Sequence, residues 1–164
     1  LLMEMYGDSI ANIINEIEKL VLMVGDTNEI DESTLKKTGN YNKEYHLWQF
    51  ADAIGRKDTR LSLRIFNSFV VHGNPLTSII INLSNLFQQV LWVKFGAKTP
   101  EFNSGLNKIL QSRLKNYSYN YNTGEVYNIL RKLCRIDLLS KSTNLSVAAL
   151  FQPVVIEICE GIYV

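Results

Sequence analysis

The chain has 164 residues, of which 46% are hydrophobic and 20% charged, enough for one ordinary domain or two small ones with a real core. Its 17 Lys and Arg residues nearly balance its 16 Asp and Glu residues, so the formal net charge is only +1. This balance excludes a strong overall attraction to nucleic acid or to acidic membranes, although it leaves room for a local basic patch.

Location and redox state follow from a few simple features. No apolar run reaches the roughly 18–20 residues that span a bilayer, and the start lacks the basic segment of a signal peptide. Neither Cys134 and Cys159 nor His46 and His72 show metal-ligand spacing. We therefore expect a cytoplasmic protein with buried reduced thiols, no membrane association, no metal and no cofactor. Because the chain begins with Leu1 and reads from there as the end of a helix, we expect a fragment.

Helical patterns occupy the first third of the chain. Asp8 is placed to cap a helix that carries apolar residues at i, i+3, i+4 and i+7 spacing and ends at Gly25. A short helix is predicted from about Glu32 to Lys37, and another carries Leu47 to Ile54 and ends at Gly55. The polar segment after Gly55 is the predicted boundary between two helical modules.

Two helices with clear start and stop signals follow this boundary. Asp58 caps a helix that Gly73 ends. Pro75, at the favoured first helical position, opens a helix to about Phe95, whose apolar stripe is the strongest in the chain.

The remaining segments complete an all-helical prediction. Residues 106–114 suggest a helix, whereas residues 115–122 alternate Tyr with Ser and Asn and break the helical period. Thr123 is placed to cap another helix, and the last helix runs from about Ser146 to Glu160, with a kink expected at Pro153. Apart from the Tyr segment, no stretch alternates with period two and no hairpin turn links two apolar runs, so the predicted fold class is all-α.

The motifs of common active sites are missing from the sequence. It contains no GxxxxGK[ST] or GxGxxG phosphate-binding loop, no HExxH metal motif and no GxSxG nucleophile. We therefore assign no catalytic, cofactor-binding or metal-binding residue.

One weaker candidate for nucleic-acid contact is the cluster formed by Lys115, Tyr117, Tyr119 and Tyr121. Aromatic rings beside a basic side chain resemble a stacking platform for single-stranded nucleic acid. The favoured alternative is a loop whose rings cover the apolar edge of the bundle. Trp92 is interpreted as a core or interface anchor.

Asp137 and Lys141 are the candidates for a subunit interface. The apolar stripe after Thr123 continues to Asp137, where a charge is costly unless it is paired. Lys141 follows at i+4 and can pair with Asp137 on one helix face. The pair is interpreted either as a structural ion pair, which is favoured, or as a contact for another subunit.

Several short elements, in order, resemble the delta subunit of bacterial DNA polymerase III. Gly7-Asp8 followed by Asn15-Glu16-Ile17-Glu18-Lys19-Leu20 resembles its G-D…N-E-x-E-K-L segment, and Phe50 to Gly55 resembles its F-x-(D/A)-A-I element. Gly73-Asn74-Pro75-Leu76 resembles its turn between two long helices, and Asp137 to Ser142 its D-x-x-(L/S)-K-(T/S/G) element. The segment from Lys98 to Asn116 departs from the family's pattern.

This resemblance implies a clamp-loader subunit that helps to load the sliding clamp during DNA replication. Residues 1–55 would be part of the helical lid domain, and residues 56–164 the helical collar domain. The collar would join other clamp-loader subunits, with DNA present in the assembled complex. The sliding clamp would be bound only through an N-terminal domain absent from this sequence. The fragment itself would be no enzyme and would be a monomer or a weak dimer.

Three alternatives stay open beside this reading. A generic helical protein–protein adaptor would show a repeat of 34–47 residues, which the sequence lacks. A single-stranded nucleic-acid-binding domain would use Lys115 and the tyrosines. A gamma or delta-prime subunit would share the collar fold without the ordered elements.

Overall fold

The computed structural model describes residues 45–96 and 106–162, together with Ile14, Ile17, Glu18 and Val21. These four residues are helical, as the first predicted helix requires. The predicted helix from Glu32 to Lys37 lies outside the described residues.

Every regular element in the described part of the chain is an α-helix, which confirms the all-α prediction. Within residues 45–96 and 106–162 the helices are α1 (Leu47–Gly55), α2 (Thr59–Val71), α3 (Leu76–Lys94), α4 (Lys108–Asn120), α5 (Thr123–Ser142) and α6 (Val147–Glu160).

The core forms around the short helix α1, which packs against α2, α3, α4 and α6. Phe50 and Ile54 of α1 are completely buried. The ring of Phe50 lies 5.7 Å from that of Phe69 in an edge-to-face contact, and Phe66 lies 5.4 Å from Phe151 of α6. Such aromatic pairs add to the free energy gained from burying apolar surface.

Side chains cap the helices close to the predicted positions. Asp58 accepts a hydrogen bond from the backbone N–H of Leu61, as predicted for α2. The cap of α5 is Asn122 rather than Thr123, and Asn122 and Glu125 form a reciprocal capping box. Ser146 caps α6, which continues as a helix through Pro153.

The predicted end of α1 at Gly55 is confirmed, since Gly55 is the last residue of the helix, and Gly55 itself is buried. The left-handed residue after the helix is Lys57, with a φ of +57°. Its N–H donates to Ile54 O, and the N–H of Asp58 donates to Ala53 O, which is the Schellman pattern. The predicted end of α2 at Gly73 is confirmed, since Gly73 has a φ of +69°.

The predicted break of helical structure after Lys115 is wrong. Helix α4 continues to Asn120, and Tyr117 and Tyr121, four positions apart, are both turned into the core. Alternation of Tyr with Ser and Asn resembles a strand pattern, but the buried residues Leu110, Leu114 and Tyr117 are spaced by four and three, which is the helical period.

Helix α3 corrects the statement that no apolar run is long enough to span a membrane. Its 19 residues and its mean hydropathy of 1.3 are sufficient by length and composition. A buried core helix meets the same criterion, and α3 buries Ile79, Leu83 and Leu86 completely between α1, α4 and α5.

The residues from Tyr45 to Val164 form one compact unit, and residues 1–44 belong to another. Helix α1 therefore lies in the same unit as the five helices that follow it. The assignment of residues 1–55 to a lid and of residues 56–164 to a collar stays a prediction.

Candidate interaction surface

A buried carboxylate joins α1 to α4. The Oδ1 atom of Asp52 accepts hydrogen bonds from the Arg113 guanidinium at 2.8 Å and from the Tyr117 hydroxyl at 2.5 Å. Its Oδ2 atom lies 3.0 Å from the guanidinium of Arg56. A buried carboxylate is tolerated only when it is paired and hydrogen-bonded, and here both of its oxygens are engaged.

These contacts set the protonation states of the cluster. Burial raises the pKa of Asp52, but the hydrogen bonds from Tyr117 and Arg113 and the charges of Arg56 and Arg113 outweigh it, so the pKa lies below its ordinary value. Burial and the hydrogen bond to Asp52 raise the pKa of Tyr117. Asp52 is therefore ionised and Tyr117 neutral near pH 7. A charge so fully engaged holds the bundle together and leaves no free group for chemistry.

The C-terminal end of α1 and the turn after it contact residues at the end of α4 and the start of α5. The Tyr121 hydroxyl donates to Ile54 O at 2.5 Å, and the side chain of Asn120 donates to Gly55 O at 2.9 Å. The ammonium of Lys57 pairs with Glu125 at 2.9 Å and lies 4.6 Å from the centre of the Tyr121 ring.

The three tyrosines of the predicted stacking platform are separated by the fold. Tyr117 and Tyr121 are each only 1% exposed and use their hydroxyls within the bundle, so they have no ring face to offer a base. Tyr119 is 75% exposed. The structure does not bring the three rings together on one surface, and it places Tyr117 and Tyr119 on α4 rather than on the predicted loop, with Tyr121 directly after the helix.

Lys115 and Tyr119 do share an exposed stripe of α4. Lys108, Ser112, Lys115 and Tyr119 follow the i, i+4, i+7, i+11 spacing of one helix face, and all four are exposed. Helix α4 contains no Asp or Glu. A contact of Lys115 and Tyr119 with nucleic acid stays a prediction.

Asp137 and Lys141 form the ion pair that their spacing predicts. The Lys141 ammonium lies 2.6 Å from Oδ2 of Asp137, and the Asp137 side chain is half-buried. Its Oδ1 atom is buried and has no hydrogen-bond partner among the described residues. The pair therefore satisfies one carboxylate oxygen of Asp137 and leaves the other unsatisfied.

This pair lies on the wall of an open groove between α3 and α5, with a volume of about 530 Å³. We call it the α3–α5 groove. Its α3 side includes Thr77, Ile80, Ile81 and Gln88, and its α5 side is formed by Leu130, Cys134, Asp137 and Lys141. The α5 residues follow a 4-3-4 spacing, so they belong to one face of that helix.

Exposed apolar side chains lie in or beside the groove. Ile81 is 55% exposed within it, and Leu138, next to Asp137, is 64% exposed. Trp92, predicted to be a core or interface anchor, is 52% exposed one turn beyond Gln88 on the same side of α3. Charge-poor surface with exposed aromatic and aliphatic side chains is typical of the centre of protein interfaces.

The two cysteines have different environments, which corrects the expectation that both are buried. Both thiols are free, but Cys134 is exposed in the α3–α5 groove and Cys159 is buried. Burial raises the pKa of Cys159. Among the described residues, no group of three His, Cys, Asp or Glu side chains is close enough to hold a metal ion.

The Asp52 cluster and the groove were not predicted from the sequence. A signal for the first exists, because Asp52 stands between apolar residues in Phe50-Ala51-Asp52-Ala53-Ile54, where an acid must be paired once buried. Its two hydrogen-bond partners on α4 lie more than sixty residues away, and nothing local identifies them. The groove depends on how α3 and α5 pack, which neither helix encodes alone.

No family model and no curated protein sequence matches this chain. Its structure is similar to that of the Bacillus subtilis DNA clamp loader delta protein (YqeN), with a TM-score of 0.57 and 17% sequence identity. The similarity covers 97% of this chain and 49% of that chain, so the present chain spans about half the length of the solved structure it matches.

The chain has a clamp-loader-like fold. The elements that carry the resemblance have structural roles in it: Phe50 to Gly55 is the central helix α1, and Gly73 to Leu76 is the turn between α2 and α3. Asp137 and Lys141 lie on the wall of the α3–α5 groove.

Proposed function

We propose that the chain is the C-terminal region of a delta-type clamp-loader subunit, a scaffold that joins other subunits when sliding clamps are loaded for DNA replication. The observation that carries this proposal is the similarity in fold to a clamp loader delta protein along nearly the whole chain. The ordered sequence elements support the delta type in particular.

The proposal includes what the chain does not do. We propose that it is no enzyme, that it acts in the cytoplasm, and that it reaches the sliding clamp only through an N-terminal domain of the longer subunit. The parent would be a subunit of the DNA polymerase III holoenzyme, and DNA would be present in the assembled complex.

Reconstitution with purified subunits tests this proposal. The chain is mixed with the remaining clamp-loader subunits of the same organism and passed over a sizing column with light-scattering detection. We expect a complex that contains the chain together with at least one other subunit, and no retention of the sliding clamp by the chain alone. A chain that elutes alone in every mixture would contradict the proposal and favour a generic helical adaptor.

Single-stranded nucleic-acid binding is the second candidate function. The exposed stripe of Lys108, Ser112, Lys115 and Tyr119, free of acidic residues, favours it. Filter binding of labelled oligothymidine at low salt tests this candidate, with Lys115→Glu and Tyr119→Ala as variants. Retention that both variants abolish supports it, whereas no retention by the wild-type chain removes it.

A further inference from the structure

The lining of the α3–α5 groove combines the apolar side chains of Ile80, Ile81 and Leu130 with polar side chains of α3, namely Thr77, Ser84, Asn85 and Gln88. On its α3 side, the exposed positions Thr77, Ile81, Gln88 and Trp92 form one stripe, and α3 has no charged residue before Lys94. From Thr77 to Trp92 this stripe is roughly 22 Å long at 1.5 Å per residue. Two packed helices with a groove between them provide a natural seat for a third helix.

Arg131 and Arg135 each follow a groove-lining residue of α5, Leu130 and Cys134, and lie on the exposed surface of α5 beside the groove. Arg131 and Arg135 are exposed four residues apart and form no ion pair with any described residue. Burial lowers the pKa of the neighbouring Lys132, and the positive charge of Arg135 lowers it further. Lys132 is already paired with Glu157, so the positive charge left for an acidic partner to neutralise is that of Arg131 and Arg135.

The wider charge distribution points in the same direction. The unit from Tyr45 to Val164 has 13 Lys and Arg residues against 7 Asp and Glu, whereas residues 1–44 have 4 against 9. Every described Asp and Glu of this unit already has a partner, in an ion pair, a helix cap or a hydrogen bond. The unit therefore has free cations but no free anion to offer among its described residues.

We propose that the α3–α5 groove binds an amphipathic helix of another protein subunit, with an apolar stripe on Ile80, Ile81 and Leu130 and acidic side chains opposite Arg131 and Arg135. This inference rests on the proposed function, because it names the part of the chain that receives the neighbouring subunit. A second copy of the bundle fits less well, since it would bring arginine against arginine. Nucleic acid fits less well too, because the α3 wall has no cation for a phosphate.

Two groove variants of the full chain test the two halves of the proposal. Ile81→Arg places a charge next to the apolar side chains of the groove. The double variant Arg131→Glu, Arg135→Glu reverses the charge on the surface of α5 beside the groove. Each is titrated against the purified clamp-loader subunit that binds the wild-type chain, at low and at high salt. We expect each to weaken binding by about tenfold or more, and the charge reversal to reduce the salt dependence as well.

Matched controls lie on α2, none of whose residues lines the groove. Val71 is an exposed apolar residue like Ile81, at 70% exposure, so Val71→Arg controls for the added charge. Arg60 and Arg64 are exposed four residues apart, as Arg131 and Arg135 are, so Arg60→Glu with Arg64→Glu controls for the change in net charge. Both controls are expected to bind within about twofold of the wild type, and thermal melts must show that all four variants are folded.

Cys134 provides a direct readout of what occupies the groove. Its thiol is exposed there, whereas Cys159 is buried, so benzophenone maleimide should label Cys134 in the native chain. After irradiation of the complex, mass spectrometry identifies the crosslinked peptide, with Cys134→Ser as the unlabelled control. We expect a peptide of the partner subunit in which apolar residues at i, i+3 and i+4 alternate with Asp or Glu.

The possible results separate this inference from the proposed function. If the wild type forms a complex that the groove variants leave unchanged, the inference is wrong and the proposed function stands. A crosslink to a second copy of the chain, or to a partner segment without acidic residues, also overturns it. If the wild type binds no clamp-loader subunit, both proposals fail together.

Discussion

At the scale of single residues, Asp52 links two helices of the bundle through one buried carboxylate. Its carboxylate is buried in α1 and receives its hydrogen bonds from Arg113 and Tyr117 of α4, while Arg56 closes the cluster from the surface. Loss of the charge would leave the Tyr117 hydroxyl buried with a poorer acceptor. The cluster therefore makes the docking of α1 specific as well as stable.

Asp52→Asn should reveal this role through its pH dependence. Because the folded state lowers the pKa of Asp52, the ionised carboxylate stabilises the fold above the unfolded-state pKa of about 4, and this stabilisation disappears as the pH falls through the lower folded-state pKa. We expect the variant to lose about 2 kcal/mol of unfolding free energy at pH 7. The difference from the wild type should shrink below about pH 4.

Urea titrations between pH 3 and pH 7 measure this difference, with Asp137→Asn as the control because it removes a carboxylate from an exposed pair. A gap between wild type and Asp52→Asn that is constant over the whole range would show that the charge of Asp52 plays no part.

The close approach of the Tyr117 ring to α1 explains why position 55 is a glycine. A Cβ atom there would lie 2.7 Å from a ring carbon of Tyr117, which is itself fixed by Asp52. We predict that Gly55→Ala lowers the unfolding free energy by about 1–3 kcal/mol, the usual cost of overpacking a core. Thermal or urea unfolding measures the effect.

The matched control for this substitution is Gly124→Ala in the first turn of α5. A Cβ atom there meets only the Asn122 side-chain oxygen, at 3.3 Å. Alanine favours helix over glycine, so this variant should be as stable as the wild type or slightly more so. Equal losses from both substitutions would mean that the Tyr117 ring moves aside easily.

At the scale of elements, α5 presents two surfaces with different tasks. Val126, Ile129 and Leu133 pack into the core, while the groove face carries Asp137 and Lys141. The interface role of that pair can be separated from its structural one, because exposed i, i+4 ion pairs contribute only about 0.3–0.5 kcal/mol.

Asp137→Ala and Lys141→Ala should therefore change the unfolding free energy by less than about 1 kcal/mol. If the pair belongs to a subunit interface, the same variants should weaken assembly with the other clamp-loader subunits. Sizing-column reconstitution and urea unfolding of the same samples give both quantities. Unchanged assembly together with unchanged stability would contradict both interpretations of the pair.

The helices themselves could largely be predicted from the sequence, because their signals are local. Asp58 and Gly73 are local signals for the two ends of α2, and the apolar stripe of α3 follows from its spacing. The C-terminal end of α4 could not be predicted, since the buried positions of Tyr117 in the helix and of Tyr121 just after it depend on hydrogen-bond partners on α1. The left-handed backbone conformation of Lys57 could not be predicted either, because it depends on the turn that joins α1 to α2.

The candidate site could be predicted only in part. The spacing of Asp137 and Lys141 was enough to predict their ion pair, which the structure contains. The groove beside them, the exposure of Cys134 and the free charges of Arg131 and Arg135 all depend on which faces α3 and α5 bury. The packing of whole helices determines those faces, so no short sequence motif predicts which face is buried.

At the scale of the whole molecule, the bundle is one compact unit that starts at Tyr45 and includes α1. Removing α1 would strip Phe50 and Ile54 from the core and leave Arg113 and Tyr117 without Asp52. We predict that a fragment of residues 45–164 unfolds cooperatively, with a midpoint close to that of the full chain. A fragment of residues 56–164, cut at the predicted domain boundary, should fail to fold cooperatively.

Circular dichroism with thermal melting distinguishes the two fragments. The comparison is well matched, because they differ by only the eleven residues that contain α1 and its flanks. A cooperative transition in the shorter fragment would show that the bundle is complete without α1, and that the boundary after Gly55 is a physical one.

The contacts of Asp52 also set an order of events when the chain is made. Phe50 meets Phe69 of the adjacent helix soon after both leave the ribosome, but Arg113 and Tyr117 follow Asp52 by 61 and 65 residues. At translation rates of about 5–20 residues per second, that separation corresponds to roughly 3–13 seconds. During this time the nascent α1–α2 pair carries a charge on a surface that is otherwise ready for burial, which discourages premature association with neighbouring chains.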